Sequence, residues 1–476
     1  MTSAEFPSHS LDPEDWTSLR HQAHRMLDDI LDHVAALREG PVWQPMPDAV
    51  RNAFNADLPL EPCALAEVHA DFLRTVLPYG TGNLHPGFMG WVHGGGNLEG
   101  MLGEMLAAGL NANLGGRDHA PIEVERQILR WVRRLFSFPE SASGLFLTGT
   151  SMANFLGLLV ARHWALEGRD PGLHQAGLVA YASAAVHGCV PRALDMAGLG
   201  RAALHLVPVD DLGRMDLKAL EAALAADRTA GLRPFLVVGT AGTVDSGAVD
   251  DLAGLADLAQ RQRLWFHVDG AFGALAILAP SLANLLVGLE RADSLAFDFH
   301  KWAQVPYDAG YLLVRDGQQH LDAFAAPAAY LQRESCGLAA GSPWPCDYGP
   351  DLSRGFRALK TWFTLRTHGL RHLGAVIEGT CALAQSLATR IQAEPALELM
   401  APVTLNIVCF RHRGENPDAL NARIVMELQA SGLAAPSTTR LRGALVIRAA
   451  LVNHRTRAED LETLVAAVLD LGRRLG

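Results

Sequence analysis

Between residues 144 and 314 short apolar runs alternate with longer amphipathic ones, and this limits the available folds more than any other feature. Runs at 144–147, 178–182, 203–207, 234–239, 264–268, 294–297 and 310–314 are bounded by glycine and polar residues and read as strands. Helical spacing fills the gaps at 151–167, 188–197, 217–227 and 252–262. Apolar strands joined through helices predict an α/β fold, a parallel-dominated sheet covered on both faces. Such sheets bind ligands beyond the carboxyl ends of their strands, so chemistry is expected where these runs stop.

Two runs stop on reactive residues. Leu295-Ala-Phe-Asp-Phe-His-Lys-Trp302 passes from an apolar strand to Asp298, His300 and Lys301, and Phe266-His-Val-Asp-Gly-Ala-Phe272 ends its strand near Asp269. A lysine at a buried strand end is costly as a cation unless a partner or a covalent bond relieves it. Desolvation lowers the amine pKa and bares the lone pair, which suits a Schiff-base lysine. Asp269 is the complementary group, able to keep a pyridine nitrogen protonated. A lysine plus such an acid is what proteins bring to pyridoxal 5′-phosphate (PLP). By itself Lys301 would read as a surface lysine after a core strand.

Phe146-Leu-Thr-Gly-Thr-Ser-Met-Ala-Asn154 is a strand, a glycine turn and a helix start. Free N–H groups there, with the hydroxyls of Thr150 and Ser151, can cradle a phosphate. Alone, the segment would be a plain N-cap. His187, just past another strand, is an imidazole able to stack on a pyridine ring or to be simply structural. A second glycine-hydroxyl turn carries Thr243, and Asp250 and Asp251 after it read as helix caps. In His85-Pro-Gly-Phe-Met-Gly-Trp-Val-His-Gly-Gly-Gly96 the glycines are interleaved with Phe88, Trp91 and Val92. That mixture suggests backbone brought close to a ligand, with Trp91 and His93 as pocket residues. Tight turns with core aromatics are the bland alternative.

Together these motifs resemble the PLP-dependent group II amino-acid decarboxylases, the family of aromatic-L-amino-acid, histidine and glutamate decarboxylases. Its pattern His-Val-Asp-Ala-Ala-Tyr, then Asn/Asp-Pro-His-Lys-Trp, is approached at residues 267–272 and 298–302. The resemblance implies PLP fold type I: a large domain with a seven-stranded, mostly parallel sheet, a small C-terminal α+β domain, and a homodimer. It implies Lys301 as the Schiff-base lysine, Asp269 on the ring nitrogen and His187 on the ring face. It further implies Thr150, Ser151, Asp298 and His300 near the phosphate, Thr243 beside the cofactor and Ala271 against the ring. Tyr348, at the end of a lid, would protonate the carbanion, or else be structural; its spacing to the next helix is shorter than in the family. Met152 stands for a usual Glu, Val244 for a Thr and Phe299 for a Pro or small residue. The implied activity is decarboxylation of an L-amino acid to amine and carbon dioxide through a lysine Schiff base. Aromatic substrates come first, on family grounds and because of Trp91 and Phe88. Rivals are an aminotransferase with Arg448 as carboxylate clamp, a decarboxylating aldehyde synthase, and a non-catalytic PLP-fold protein. Against the last, Lys301, Asp269 and the phosphate turn have no purpose in a dead site.

The 476 residues suit two or three packed domains. Residues 1–80 read as a helical segment, capped by Asp12 and stopped by Gly40-Pro41, too apolar to stand free and packed on its own subunit or on a dimer partner. Residues 81–355 read as the large PLP-binding domain, with a further helix over 120–136, and residues 356–476 as the small one. The stretch 327–350 reads as a lid, followed by a helix from 352 to 369. Beyond it come helices at 375–393, 419–431 and 458–471 and strands at 404–410 and 444–450. A net charge of −11 argues against nucleic acid as a partner. Six scattered cysteines suit reduced thiols and no metal site. With Glu5, Asp12, Glu14 and Asp15 at the start and no long apolar run, neither a signal peptide nor a membrane span is expected, which points to a cytoplasmic enzyme.

Overall fold

The computed structural model describes residues 10–325 and 333–476. After a two-residue strand β1 (Phe88–Met89) come β2 (Ser143–Leu147), β3 (Leu178–Ser183), β4 (Leu204–Val207), β5 (Arg233–Thr240), β6 (Trp265–Asp269), β7 (Ser294–Asp298) and β8 (Gly310–Val314). Then follow β9 (Leu397–Leu399), β10 (Ile407–His412), β11 (Ala435–Leu441) and β12 (Ala444–Ala450). Strands β2 to β8 make one seven-stranded sheet in the order β2-β8-β7-β6-β5-β3-β4. Six of them, β2, β7, β6, β5, β3 and β4, point the same way, and β8 runs antiparallel to its neighbours β7 and β2. The seven apolar runs of the sequence are these seven strands.

Every residue of β3, β6, β7 and β8 is buried, because helices cover both faces. Thr150–Ala165 and Cys189–Met196 pack on one face; Ala120–Leu135, Leu217–Thr229 and Leu252–Gln262 pack on the other. In register, Thr240 sits beside Asp269 and Asp269 beside Ala296. The carboxyl ends of β5, β6 and β7 therefore finish together, and that edge carries the chemistry.

A second sheet, in the order β1-β11-β12-β10-β9, is backed by Pro417–Ser431 and Ala458–Leu475 over a separate apolar core. Phe88 and Met89 pair in parallel with Ala435 and Pro436, so the glycine-rich segment joins the C-terminal sheet. Strands β9 and β11 carry no clear sequence signal. The residues of β11 are mostly small or polar and include Pro436, which demotes a strand reading. The strand expected at 404–410 lies instead at Ile407–His412.

Two local expectations are corrected. Asp15, not Asp12, caps the first helix, accepting the N–H groups of Thr17 and Ser18. The helix expected from 352 starts at Arg357, because Arg354 turns inward and bonds both Glu125 oxygens at 3.0 and 3.1 Å. Part of the proposed lid, residues 327–332, lies outside the described residues. In the described remainder Trp344 is buried, with the guanidinium of Arg333 stacked 3.5 Å over its ring, so this part is anchored. The expected stop near 367–369 coincides with Gly369, whose φ of +73° breaks the helical run Arg357–Gln392. The first helix, Trp16–Ala35, buries only Gln22. Among the described residues no helix is long and apolar enough to cross a membrane.

Candidate active site

At the end of β7 the chain turns through Phe299 and His300 to Lys301. Lys301 Nζ lies 3.0 Å from Asp298 Oδ2, and Asp298 Oδ1 accepts the Thr150 N–H at 2.7 Å. One carboxylate thus ties the lysine to the start of the helix Thr150–Ala165, an end that favours anions. The lysine keeps 21% side-chain exposure and enters the cavity as half of an ion pair, the partnered form of a strand-end lysine. Phe299 faces the other way, into a cluster with Phe146, Phe297 and Tyr311 at ring separations of 5.7, 4.9 and 5.8 Å. That packing explains a large apolar residue between the aspartate and the histidine.

His300 Nδ1 accepts the Ala309 N–H at 3.0 Å. Burial holds the ring's pKa down to about 4, against the upward pull of Asp298. The imidazole is therefore neutral with its proton on Nε2, a donor suited to an anion. Asp269 ends β6, where Asn154 Nδ2 and the Ala271 N–H donate to it at 3.0 and 3.2 Å. Burial pushes its carboxyl pKa up, and Lys301 is the foremost group pulling it back. The carboxylate is short of positive charge, and a protonated pyridine nitrogen would supply it.

These groups line one cavity of about 350 Å³. Thr150 Oγ1 and Thr240 Oγ1 are buried there without a hydrogen-bond partner among the described residues. Glycine shapes the walls. A Cβ on Gly310 would lie 2.3 Å from Gly149 Cα, and one on Gly94 would lie 2.3 and 2.6 Å from the carbonyls of His300 and Lys301. Donors at the helix start, an uncompensated carboxylate and a lysine on one wall fit PLP. A larger cleft of about 690 Å³, at the opposite ends of the strands beside Arg263, Arg291 and Arg315, is lined by no lysine, histidine or cysteine.

Ser151, His187, Ala271, Trp91 and His93 also line the cavity, as the sequence suggested. His187 is exposed at its rim, with Nδ1 accepting the Cys189 N–H at 3.2 Å. Phe88, Trp91 and His93 stack at ring separations of 5.8 to 6.1 Å, and Tyr307 meets His93 edge-on at 6.0 Å.

Other expected residues go elsewhere. The hydroxyl of Thr243 closes its own turn by accepting the Ala248 N–H at 3.0 Å, and Thr240, Gly242 and Val244 line the cavity instead. Tyr348 is not among the lining residues; it packs on His320 at 5.0 Å, in a short turn beside β2. Asp250 caps no helix but accepts the N–H groups of Met215 and Thr240 at 2.7 and 2.8 Å, while Asp251 does cap its helix. Arg448, the possible clamp, is buried and braces the turn carrying Val244, donating to that carbonyl at 2.7 Å. Sequence reasoning missed Tyr307, whose ring lies 4.4 Å from that of His300. Burial, then Asp298, push its phenol pKa up, so it stays protonated. Its position soon after the lysine motif was the only available signal.

The family model described as the pyridoxal-dependent decarboxylase conserved domain matches residues 47–413. The chain is 32% identical over 468 residues to an aromatic-L-amino-acid decarboxylase of Bacillus atrophaeus, covering 96% of each. It is 29% identical to a phenylacetaldehyde synthase of Arabidopsis thaliana, covering 93% of each. The crystal structure of Oryza sativa TDC with PLP and tryptamine superposes with a TM-score of 0.89 at 25% identity, covering 98% of this chain and 100% of that one.

Proposed function

The chain belongs to the pyridoxal-dependent decarboxylase family, a PLP-dependent carboxy-lyase acting on amino acids, and we propose that its substrate is an aromatic L-amino acid, released as the amine and carbon dioxide. The observation that carries the aromatic assignment is that Trp91 and His93, stacked on each other and backed by Phe88, line the same cavity as Lys301. Flat rings lining a pocket favour a flat side chain in offset or edge contact. The aromatic decarboxylase of Bacillus atrophaeus supports the same substrate class.

When bound, PLP supplies the electron sink into which the bond between Cα and the carboxylate can break. Lys301 is the amine that anchors the cofactor. The Thr150 hydroxyl, Ser151 and His300 Nε2 would donate to the phosphate, and Asp269 would hold a proton at the ring nitrogen. His187 and Ala271 bound the space for the ring. Trp91 and His93 seat the substrate side chain and exclude water. Once carbon dioxide has left, Cα needs a proton, and Tyr307 Oη is the acid we assign to it. The active unit is a homodimer, a reading supported by exposed apolar side chains on the N-terminal segment, among them Trp16, Leu58, Leu60 and Val68. A cytoplasmic location suits its free cysteines.

Product analysis by mass spectrometry, with PLP, a panel of L-amino acids and a Lys301→Ala control, tests the reading. Amines from aromatic substrates only, absent in the control, are expected. Aldehyde with hydrogen peroxide would replace the decarboxylase reading by the synthase one.

A further inference from the structure

Behind Asp269 a line of polar side chains runs through the apolar interior. Trp265, His267 and Asp269 alternate along β6 and so share one face of the strand. Trp265 Nε1 lies 2.8 Å from Ser294 Oγ, and that oxygen lies 2.7 Å from His267 Nδ1. His267 Nε2 lies 2.9 Å from Asn154 Oδ1, and Asn154 Nδ2 lies 3.0 Å from Asp269 Oδ2. His267, Ser294, Asn154 and Asp269 are each at most 3% exposed.

The protons of this line can be placed from one end. A carboxylate only accepts, so Asn154 must present its amide nitrogen to Asp269 and its oxygen to His267. The second amide hydrogen meets Cys189 Sγ at 3.2 Å, so both donors of the asparagine are used. An accepting Asn154 oxygen requires the proton of His267 on Nε2, which leaves Nδ1 to accept from the Ser294 hydroxyl. The serine oxygen then accepts from the Trp265 indole, which can only donate. Every bond points toward Asp269. A second feature marks the place as built: Gly157, inside the helix Thr150–Ala165, faces the imidazole, and a Cβ there would lie 3.0 Å from His267 Cε1. Glycine is disfavoured inside a helix relative to alanine, and here it makes room for the ring.

We propose that His267 is a positioning residue for the cofactor's ring nitrogen: by donating to Asn154 Oδ1 it fixes the face of that amide and so holds Asp269 as an anion directed at the cavity. The proposal rests on the assignment of Asp269 to the ring nitrogen. Without a donor at position 267 the Asn154 oxygen is left unpaired in the interior, and the amide is held against Asp269 from one side only.

The test reconstitutes the holoenzyme with PLP labelled with ¹⁵N in the ring and reads the ring-nitrogen shift by solid-state NMR, beside the PLP dissociation constant and apoprotein melting. The wild type is expected to show a protonated ring nitrogen, and Asp269→Asn an unprotonated one. His267→Leu is expected to move the shift toward the unprotonated value and to raise the dissociation constant about tenfold or more. His267→Gln, whose amide can still donate to Asn154, is expected to restore both. If Asp269→Asn moves the shift while His267→Leu leaves shift and affinity unchanged, the positioning role is wrong and the Asp269 assignment survives. If Asp269→Asn moves nothing, the assignment fails and the proposal with it. Should His267→Leu not fold, His267→Phe decides: it keeps a ring in that space without a donor to Asn154, and a shift and affinity equal to wild type overturn the proposal.

Discussion

Asp298 Oδ2 stands 3.0 Å from Lys301 Nζ while Oδ1 of the same carboxylate accepts the Thr150 N–H at 2.7 Å. The lysine and the phosphate turn are therefore held in register by one side chain, 2% exposed, and not by the two loops independently.

Asp298→Ala should leave the Thr150 N–H and the lysine without this partner. We expect the apoprotein to lose about 2 kcal/mol in urea unfolding, discounted from the larger cost of breaking a fully buried pair because Lys301 is partly exposed. PLP should also dialyse away faster. An unchanged midpoint would show that the pair does not hold the site together.

Tyr307 lines the cavity and Tyr348 does not. Tyr307→Phe should therefore lower the rate of amine formation about a hundredfold, in the range for losing a positioned acid. Tyr348→Phe should stay within about twofold, as a packing change that leaves the acid in place. Single-turnover kinetics on both variants decide the matter; the opposite ranking would return the acid to the loop.

Trp91 is 54% exposed at the mouth, stacked on His93 at 5.8 Å. Trp91→Ala should raise KM for an aromatic substrate about tenfold with kcat nearly unchanged. Equal losses for aromatic and aliphatic amino acids would count against a stacking role.

Burial pulls the pKa values of three histidines well below normal: His267 and His320 to about 3 and His300 to about 4. Unfolded, each binds a proton below about pH 6.5; folded, each resists until pH 3–4. Their contribution to stability is thus complete above about pH 6.5 and declines as the pH falls, by at most about 1.4 kcal/mol per pH unit for each ring. Asp250, which burial pushes up to about 6, works in the opposite sense and offsets part of the loss between about pH 6 and 4. The apoprotein's urea midpoint should fall between about pH 7.5 and 5.5, and less steeply in His320→Gln. A flat profile would contradict neutral buried rings.

Some of this protein could be read directly from its chain. Burial on both faces forces a strand of a covered parallel sheet to be apolar throughout, so β3, β6, β7 and β8 announce themselves. Strand ends that carry Asp269, Asp298 and Lys301 are chemically out of place in such runs, and that contrast marks the active edge. By contrast β11, polar and with a proline, pairs with β1 across more than three hundred residues of chain, and no local pattern encodes that partner.

What the sequence determined by itself is the layered sheet, the edge where chemistry occurs, and the lysine, carboxylate and phosphate turn that define the cofactor. Only the tertiary structure decided which neighbours reach the cavity: that Tyr307 enters and Tyr348 does not, that Val244 lines the wall while Thr243 closes its own turn, and that His267 stands behind Asp269. Periodicity and strand-end chemistry are local properties that a window of residues can carry. The destination of a side chain depends on which distant segment packs against it, and that is settled only when the two sheets and their helices close on one another.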